Sequence, residues 1–174
     1  MNTKINFAGI EMKNPVTVAS GTFGYGREFN DFFDLSKLGG IITKGTSLKP
    51  RSGNKPPRVC ETASGMLNSI GLQNPGVEYF IKYDLPWLKQ QNTAIIVNAC
   101  GSTIEDYVEL CKILNKTDID GVELNLSCPN VKAGCLAFGT TYEGVKEVTS
   151  KVRKVLDKPL IVKLTPNVTD ITLP

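Results

Sequence analysis

The 174-residue sequence contains no histidine. This absence excludes catalytic triads built on histidine and metal sites ligated by imidazole. Cysteine, lysine, aspartate, glutamate and tyrosine remain as side chains that could move a proton. Any enzymatic chemistry of this chain must therefore proceed without an imidazole group.

Paired cysteines are also missing. The five cysteines stand at positions 60, 100, 111, 128 and 135, an odd number with no two separated by only two residues. This spacing argues against a disulfide framework and against a structural zinc site. We expect Cys60, Cys100 and Cys111 to be small buried apolar side chains.

Long apolar runs and dense charge are absent as well. No segment approaches the roughly 18–20 apolar residues that span a bilayer, and the N-terminus lacks the apolar core of a signal peptide. The net charge is +3 with dispersed lysines, so nucleic-acid binding is disfavoured. The glycine-rich run 21–26 matches neither a P-loop nor a dinucleotide fingerprint, which disfavours a generic phosphate-binding α/β domain. We expect a cytoplasmic protein that binds neither membrane nor nucleic acid.

The sequence repeats one pattern five times: an apolar strand, then a polar or glycine-rich loop, then a helical segment. The predicted strands are 15–19, 40–43, 94–98, 122–126 and 159–164. Their nearly continuous hydrophobicity is typical of parallel strands covered on both faces. One helix is predicted to start at Ser102 with Glu105 completing a capping box, and a second to span about 142–156. The pattern predicts a parallel α/β fold in one domain, residues 1–174.

Each predicted strand delivers a polar residue at its carboxyl end. These residues are Ser20, Lys44, Asn98, Asn125 and Lys163. Any one of them could be an ordinary solvated strand terminus. Their recurrence favours a shared site, because in a (β/α)8 barrel the carboxyl ends of the strands form the active-site rim.

The fourth predicted strand leads into a loop that carries a thiol between two carboxamides. Cys128 could take or donate a proton, while Asn125 and Asn130 could hydrogen-bond a flat polar ligand. The alternative is a small buried cysteine beside turn-forming asparagines. A long Gly/Pro/Ser/Asn-rich insertion at about 45–75 is a second candidate for function, since loops of this length are usually functional or disordered.

Five segments, 19–24, 43–45, 66–76, 125–130 and 162–166, are spread along essentially the whole chain. Together, and in this order, they resemble dihydroorotate dehydrogenase, a flavin-dependent TIM barrel of pyrimidine synthesis. The continuation at 131–134 and 137–140 resembles the NAD-linked, two-subunit class (class 1B). Cys135 stands where that class commonly has glycine.

The resemblance implies a role for each matching residue. Cys128 would be the base that removes the C5 proton of dihydroorotate while a hydride leaves C6 for FMN. The residues implied to contact FMN are Ser20, Lys44, Gly45, Asn98, Asn125 and Lys163. Those implied to bind the substrate are Lys44, Asn68, Ser69, Ile70, Gly71, Leu72, Asn125 and Asn130.

The resemblance also implies partners. The NAD-linked class passes electrons to a subunit that carries FAD and an iron–sulfur cluster, and the cysteines here lack cluster spacing. A homodimer that associates with such an electron-transfer subunit is expected. No metal site is expected on this chain.

The family's barrel has about eight strands, whereas this sequence supplies about five. We therefore expect an incomplete TIM barrel, either a truncated product or part of a longer enzyme. An inactive remnant without flavin turnover is one alternative function. A dihydropyrimidine dehydrogenase-like flavoenzyme is another, because it shares a thiol acid–base group after a similar strand.

Overall fold

A computed structural model describes residues 2–127 and 138–172. Ten strands lie in these ranges: β1 Ile5–Phe7, β2 Ile10–Met12, β3 Thr17–Val18, β4 Gly40–Ile42, β5 Thr46–Ser47, β6 Val59–Thr62, β7 Gly65–Asn68, β8 Ala94–Cys100, β9 Gly121–Asn125 and β10 Leu160–Lys163. The α-helices are α1 Val77–Tyr79, α2 Leu85–Leu88, α3 Ile104–Asn115 and α4 Tyr142–Arg153. A π-helical turn, Phe80–Asp84, joins α1 to α2, and 3₁₀ turns span Arg27–Phe29, Leu35–Lys37, Lys89–Gln91 and Phe138–Thr140.

The main sheet is parallel and its strands follow chain order. β3, β4, β8, β9 and β10 lie side by side in that sequence, and short β5 adds to β8 beyond the end of β4. All five predicted strands are confirmed, with boundaries that shift by up to two residues. Strand order that increases steadily across a curled parallel sheet is the pattern of a barrel, so the sheet is half of a TIM-type barrel.

The two faces of this sheet have different partners. Ile95, Val97, Val122 and Leu124 point to the face covered by α3 and α4, and they belong to the larger apolar core. The residues between them point to the opposite face, because side chains alternate along a strand. That inner face would be the interior of a barrel.

The inner face is closed at its amino end by the antiparallel hairpin β1–β2. Ile10 and Met12 of this hairpin pack against Ala94 and Ile96, forming a second, smaller core. Both hairpin side chains are 3% exposed. The inner face is therefore apolar where the hairpin packs against β8, and its polar side chains lie nearer the carboxyl end.

The two long helices start at threonine caps. Thr103 Oγ1 accepts the Asp106 N–H at 3.1 Å, and the Asp106 carboxylate accepts the Thr103 N–H in return. The prediction of Ser102 and Glu105 as the capping pair was wrong by one residue. Thr141 caps α4 with its side chain alone, since Thr141 Oγ1 accepts the Gly144 N–H at 3.2 Å. In α4, Val148 and Val152 are fully buried, so the predicted apolar stripe is confirmed.

The insertion at 45–75 contains structure that the sequence did not predict. It holds β5 and an antiparallel hairpin, β6–β7, whose residues are all exposed. Cys60 lies on this hairpin and is exposed, so its expected burial was wrong. Cys100 and Cys111 are buried as expected.

Candidate active site

A β-bulge places Lys44 and Gly45 at the carboxyl end of the sheet. Ile42 pairs with Ile96 and Thr46 with Ala99, so residues 43–45 stand opposite only residues 97 and 98. Thr43 Oγ1 accepts the Asn98 N–H at 3.3 Å and so replaces a ladder hydrogen bond. The Lys44 N–H donates to Gly24 O at 2.8 Å, which ties the bulge to the glycine-rich segment 19–24.

Asn98 and Asn125 meet on the inner face of neighbouring strands. Asn98 is completely buried and Asn125 is 6% exposed. Asn125 Nδ2 donates to Asn98 Oδ1 at 3.2 Å. The backbone of Asn125 is held as well, because the Tyr107 hydroxyl donates to its carbonyl oxygen at 2.8 Å. The structure thus brings two of the predicted site residues into direct contact.

Three further side chains complete this hydrogen-bonded group. Asn98 Nδ2 donates to Glu123 Oε1, Cys100 Sγ lies 3.4 Å from Asn98 Oδ1, and Ser127 Oγ donates to Asn125 Oδ1 at 2.8 Å. Glu123 is 6% exposed and Cys100 2%. Buried polar side chains that satisfy one another in this way hold fixed orientations.

Gly45 lies against the same group. A Cβ at this position would stand 2.7 Å from Cys100 Sγ, 3.2 Å from Asn98 Oδ1 and 3.7 Å from Leu72 Cδ2. The bulge, the carboxamides and the loop that carries Leu72 therefore converge, and only glycine leaves the gap between them open.

Two cations flank the carboxamides. Lys44 follows β4, and Lys163 on β10 is the register partner of Asn125. Both lysines are half-buried. Within residues 2–127 and 138–172, neither forms an ion pair. Their charges remain available to an anion at this end of the sheet.

Ser20 lies two residues beyond β3 and is half-buried. β3 is a sheet neighbour of β4, so the carboxyl end of β3 lies beside the strand that precedes the bulge. The described contacts do not bring the Ser20 side chain into the hydrogen-bonded group itself.

The predicted substrate loop 69–72 is anchored to the sheet through Asn74. This buried carboxamide accepts the Ser47 N–H at 3.1 Å and donates to Leu72 O at 2.8 Å. Ser69 accepts two hydrogen bonds from the Asn54 amide, and Ile70 O accepts the Asn54 N–H. Leu72 reaches the site, as its distance to Gly45 shows.

Asn68 is placed differently. It ends the exposed strand β7, where it pairs with Val59. In the described part of the chain, no hydrogen bond joins its side chain to Asn98 or Asn125. Cys128 and Asn130 lie outside the described residues, as does Cys135.

Burial changes the acidity of two groups on neighbouring elements. It raises the pKa of the Tyr25 phenol to about 12; this hydroxyl lies 3.1 Å from Thr46 Oγ1. Burial also raises the pKa of the Cys111 thiol to about 12. With pKa values this high, both groups keep their protons at neutral pH, so neither can act as a base there.

Sequence reasoning missed Glu123, Cys100, Ser127, Asn74 and the bulge at Thr43. A signal existed for two of them. Glu123 and Asn125 are two residues apart in a buried strand, and so are Asn98 and Cys100, which places each pair on one face. The bulge has no comparable signal, because it depends on the register between two strands.

The curled parallel sheet defines a barrel-type α/β protein, and the polar strand-end residues make its carboxyl rim the candidate site. The sequence profile of the dihydroorotate dehydrogenase family matches residues 2–173. The chain therefore belongs to the dihydroorotate dehydrogenase family.

Curated relatives carry closely related sequences. The chain is 59% identical over 171 residues to a protein of Alkaliphilus metalliredigens, and 56% identical over 171 residues to one of Petrotoga mobilis. It is 58% identical over 168 residues to a protein of Bacteroides fragilis. All three are named dihydroorotate dehydrogenase B (NAD(+)), catalytic subunit. The alignments cover 96–98% of this chain but 55–57% of the relatives, so the chain spans little more than half their length.

Among the described residues, the helices are too short or too polar to cross a membrane.

Proposed function

We propose that this chain forms the amino-terminal half of the catalytic subunit of an NAD-linked dihydroorotate dehydrogenase, with FMN as its cofactor. The observation that carries the proposal is the convergence of Gly45, Asn98, Asn125 and Lys163 at one end of the parallel sheet. The names of relatives 56–59% identical favour dihydroorotate over a pyrimidine without the carboxylate.

The residues of this rim fit a flavin. The ring edge of FMN carries imide and carbonyl groups, and carboxamides can both donate to and accept from such groups. Asn98, Asn125 and the half-buried Lys163 would hold this edge, and Gly45 leaves space for it. Ser20 would add a hydroxyl contact. When bound, FMN supplies the acceptor for the hydride that leaves C6 of the substrate.

This chain's own residues would handle the substrate and its proton. Cys128, as thiolate, would take the C5 proton, and the C5–H electron pair would form the C5=C6 double bond of orotate as the C6 hydride leaves. Lys44 would stabilise negative charge that develops on the pyrimidine or is already present on its carboxylate. Asn68, Asn125, Asn130 and the backbone of 69–72 would hold the ring.

The proposal extends to the assembly. The relatives are named as catalytic subunits, which supports a second subunit. We propose that this partner carries FAD and an iron–sulfur cluster, that the chain also forms a homodimer, and that the complex is cytoplasmic. We further propose that residues 1–174 belong to a single domain.

The first test is the visible absorbance spectrum of the full natural chain with added FMN and orotate. A flavin spectrum that shifts when orotate is added is the expected result. Uracil, which lacks the carboxylate, serves as the control ligand and should produce a much smaller shift. Absence of flavin binding, or equal responses to both pyrimidines, would contradict the proposal.

The base is tested by Cys128→Ser. We expect FMN and orotate to bind with little change, while flavin reduction by dihydroorotate at pH 7 slows by about 100-fold or more. A thiol ionises to a thiolate that can take the proton, whereas a serine hydroxyl is far less acidic and is almost never ionised at this pH. Stopped-flow absorbance measures this rate. Reduction at the wild-type rate would exclude Cys128 as the base, and Cys60→Ser, on the exposed hairpin, is the matched control.

A further inference from the structure

Glu123 is a buried acid that the proposed chemistry does not use. It lies on the inner face of β9, with Asn98 beside it on β8 and Ile161 beside it on β10. It is 6% exposed, and its Oε1 accepts from Asn98 Nδ2. An acid buried in a barrel interior is costly unless its hydrogen bonds repay the lost hydration. The hydrogen bond from Asn98 is therefore needed to offset this cost.

The hydrogen bonds that start at Glu123 all run in one direction. Asn98 turns its NH₂ group towards the accepting Glu123 Oε1, so its own oxygen points away. The Asn98 oxygen then accepts from Asn125 Nδ2 at 3.2 Å. This in turn leaves Asn125 Oδ1 as the acceptor for the Ser127 hydroxyl at 2.8 Å. Ser127 immediately precedes Cys128 in the sequence.

We infer that Glu123 is a positioning residue that fixes which way both site carboxamides point. When a carboxamide flips, its NH₂ donor and its oxygen acceptor exchange places. A ligand that is hydrogen-bonded by one orientation would therefore not be matched by the other. Glu123 fixes the orientation of the Asn98 carboxamide by accepting from its NH₂ group. The Asn98 oxygen then accepts from Asn125 Nδ2, which fixes the orientation of Asn125. The role for ligand binding rests on the proposed function, whereas the orientation itself does not.

The test compares Glu123→Met with Glu123→Gln in the full natural chain. Both substitutions keep the approximate shape of the side chain, but only Gln retains an acceptor for Asn98. Thr149→Val is the matched control, because the buried Thr149 hydroxyl on α4 has no hydrogen-bond partner among the described residues. We expect this control to behave as the wild type in every measurement.

The first measurement needs no ligand. The side-chain NH₂ signals of Asn98 and Asn125 are followed by ¹⁵N NMR and hydrogen exchange in the flavin-free protein. Glu123→Met should shift both pairs of signals and accelerate their exchange, while Glu123→Gln should leave them close to the wild type. A change at Asn98 alone, or at neither residue, would overturn the inference.

The second measurement is the dissociation constant for FMN and for orotate. We expect Glu123→Met to weaken orotate by about tenfold or more, and Glu123→Gln by much less, since one buried hydrogen bond is worth about that factor. Equal losses in both variants would assign the effect to charge and overturn the inference. If the wild type binds neither ligand while the NH₂ signals respond as expected, the proposed function fails and the orientation role stands.

Discussion

Gly45 has little room beside it in the candidate site. The space beside its Cα is bounded by the Cys100 thiol, the Asn98 oxygen and the Leu72 side chain. Two of these neighbours are buried in the sheet, so they have little freedom to move.

Gly45→Ala should therefore destabilise the protein by about 1–3 kcal/mol, because overpacking forces buried neighbours to shift. It should also weaken FMN binding. Urea unfolding measures the first effect and a fluorescence titration of flavin the second.

A second substitution checks this cause. Cys100→Ala removes the thiol that the new methyl group would meet, so the double variant should recover part of the lost stability. Strictly additive losses would mean that the clash with Cys100 is not the reason for glycine at position 45.

Tyr25 gives the molecule a pH-dependent stability. Burial raises the pKa of its phenol from 10.0 to about 12, so the folded state holds this proton more tightly than the unfolded state does. The neutral phenol's contribution to the free energy of unfolding is complete below pH 10 and is lost as the pH rises through about 12. The loss amounts to about 2–3 kcal/mol.

Tyr25→Phe should remove this dependence. Urea unfolding at pH 9, 10 and 11 should show a smaller decline for the variant than for the wild type. Tyr83→Phe is the control, since that tyrosine is 47% exposed and should leave the decline unchanged. Parallel declines for Tyr25→Phe and the wild type would contradict the raised pKa.

At the scale of elements, the start of α3 sets the direction of the helix behind the site. Tyr107 on this helix reaches the Asn125 carbonyl, so the capped first turn and the end of β9 are connected by one hydrogen bond. The cap therefore supports the site as well as the helix.

Thr103→Ala should cost about 1 kcal/mol, the usual effect of removing a side-chain cap. Ser102→Ala separates the two possible caps, because the Ser102 hydroxyl contacts Arg51 and not the helix. Chemical denaturation of both variants decides between them. A larger loss of unfolding free energy for Ser102→Ala than for Thr103→Ala would identify Ser102 as the cap and contradict the structure.

At the scale of the whole molecule, the apolar packing of the hairpin and the candidate site lie at opposite ends of the sheet. The hairpin β1–β2 fills the amino end with Ile10 and Met12, while the carboxamides and lysines lie at the carboxyl end. We therefore expect that one end can be altered without affecting the other.

Ile10→Ala should lower the free energy of unfolding by about 2–4 kcal/mol, because it leaves a cavity between the hairpin and β8. The affinity of the remaining folded protein for orotate should not change. Phe7→Ala on the same hairpin is the control, since that side chain is 42% exposed and should cost far less. A tenfold loss of orotate affinity in Ile10→Ala would show that the two ends are coupled.

Much of the architecture was predictable because it depends on local patterns. The five parallel strands follow from short apolar runs, and α4 from its valine spacing. The polar residues Asn98, Asn125 and Lys163 could be assigned to one rim because parallel strands end at the same edge. The sequence did not predict the two helix caps, because adjacent residues offer similar capping side chains. It also did not predict the β6–β7 hairpin or the exposure of Cys60, because these depend on neighbours that are distant in sequence.

The sequence by itself determined the fold class, the family and the residues that could carry the chemistry, because apolar periodicity and motifs are properties of the chain order. Only the tertiary structure decided how these residues meet. The bulge at residues 43–45, the gap beside Gly45 and the hydrogen bonds from Glu123 to Ser127 arise from the register of separate strands. Such contacts depend on distances across the sheet, which the order of residues along one strand does not contain.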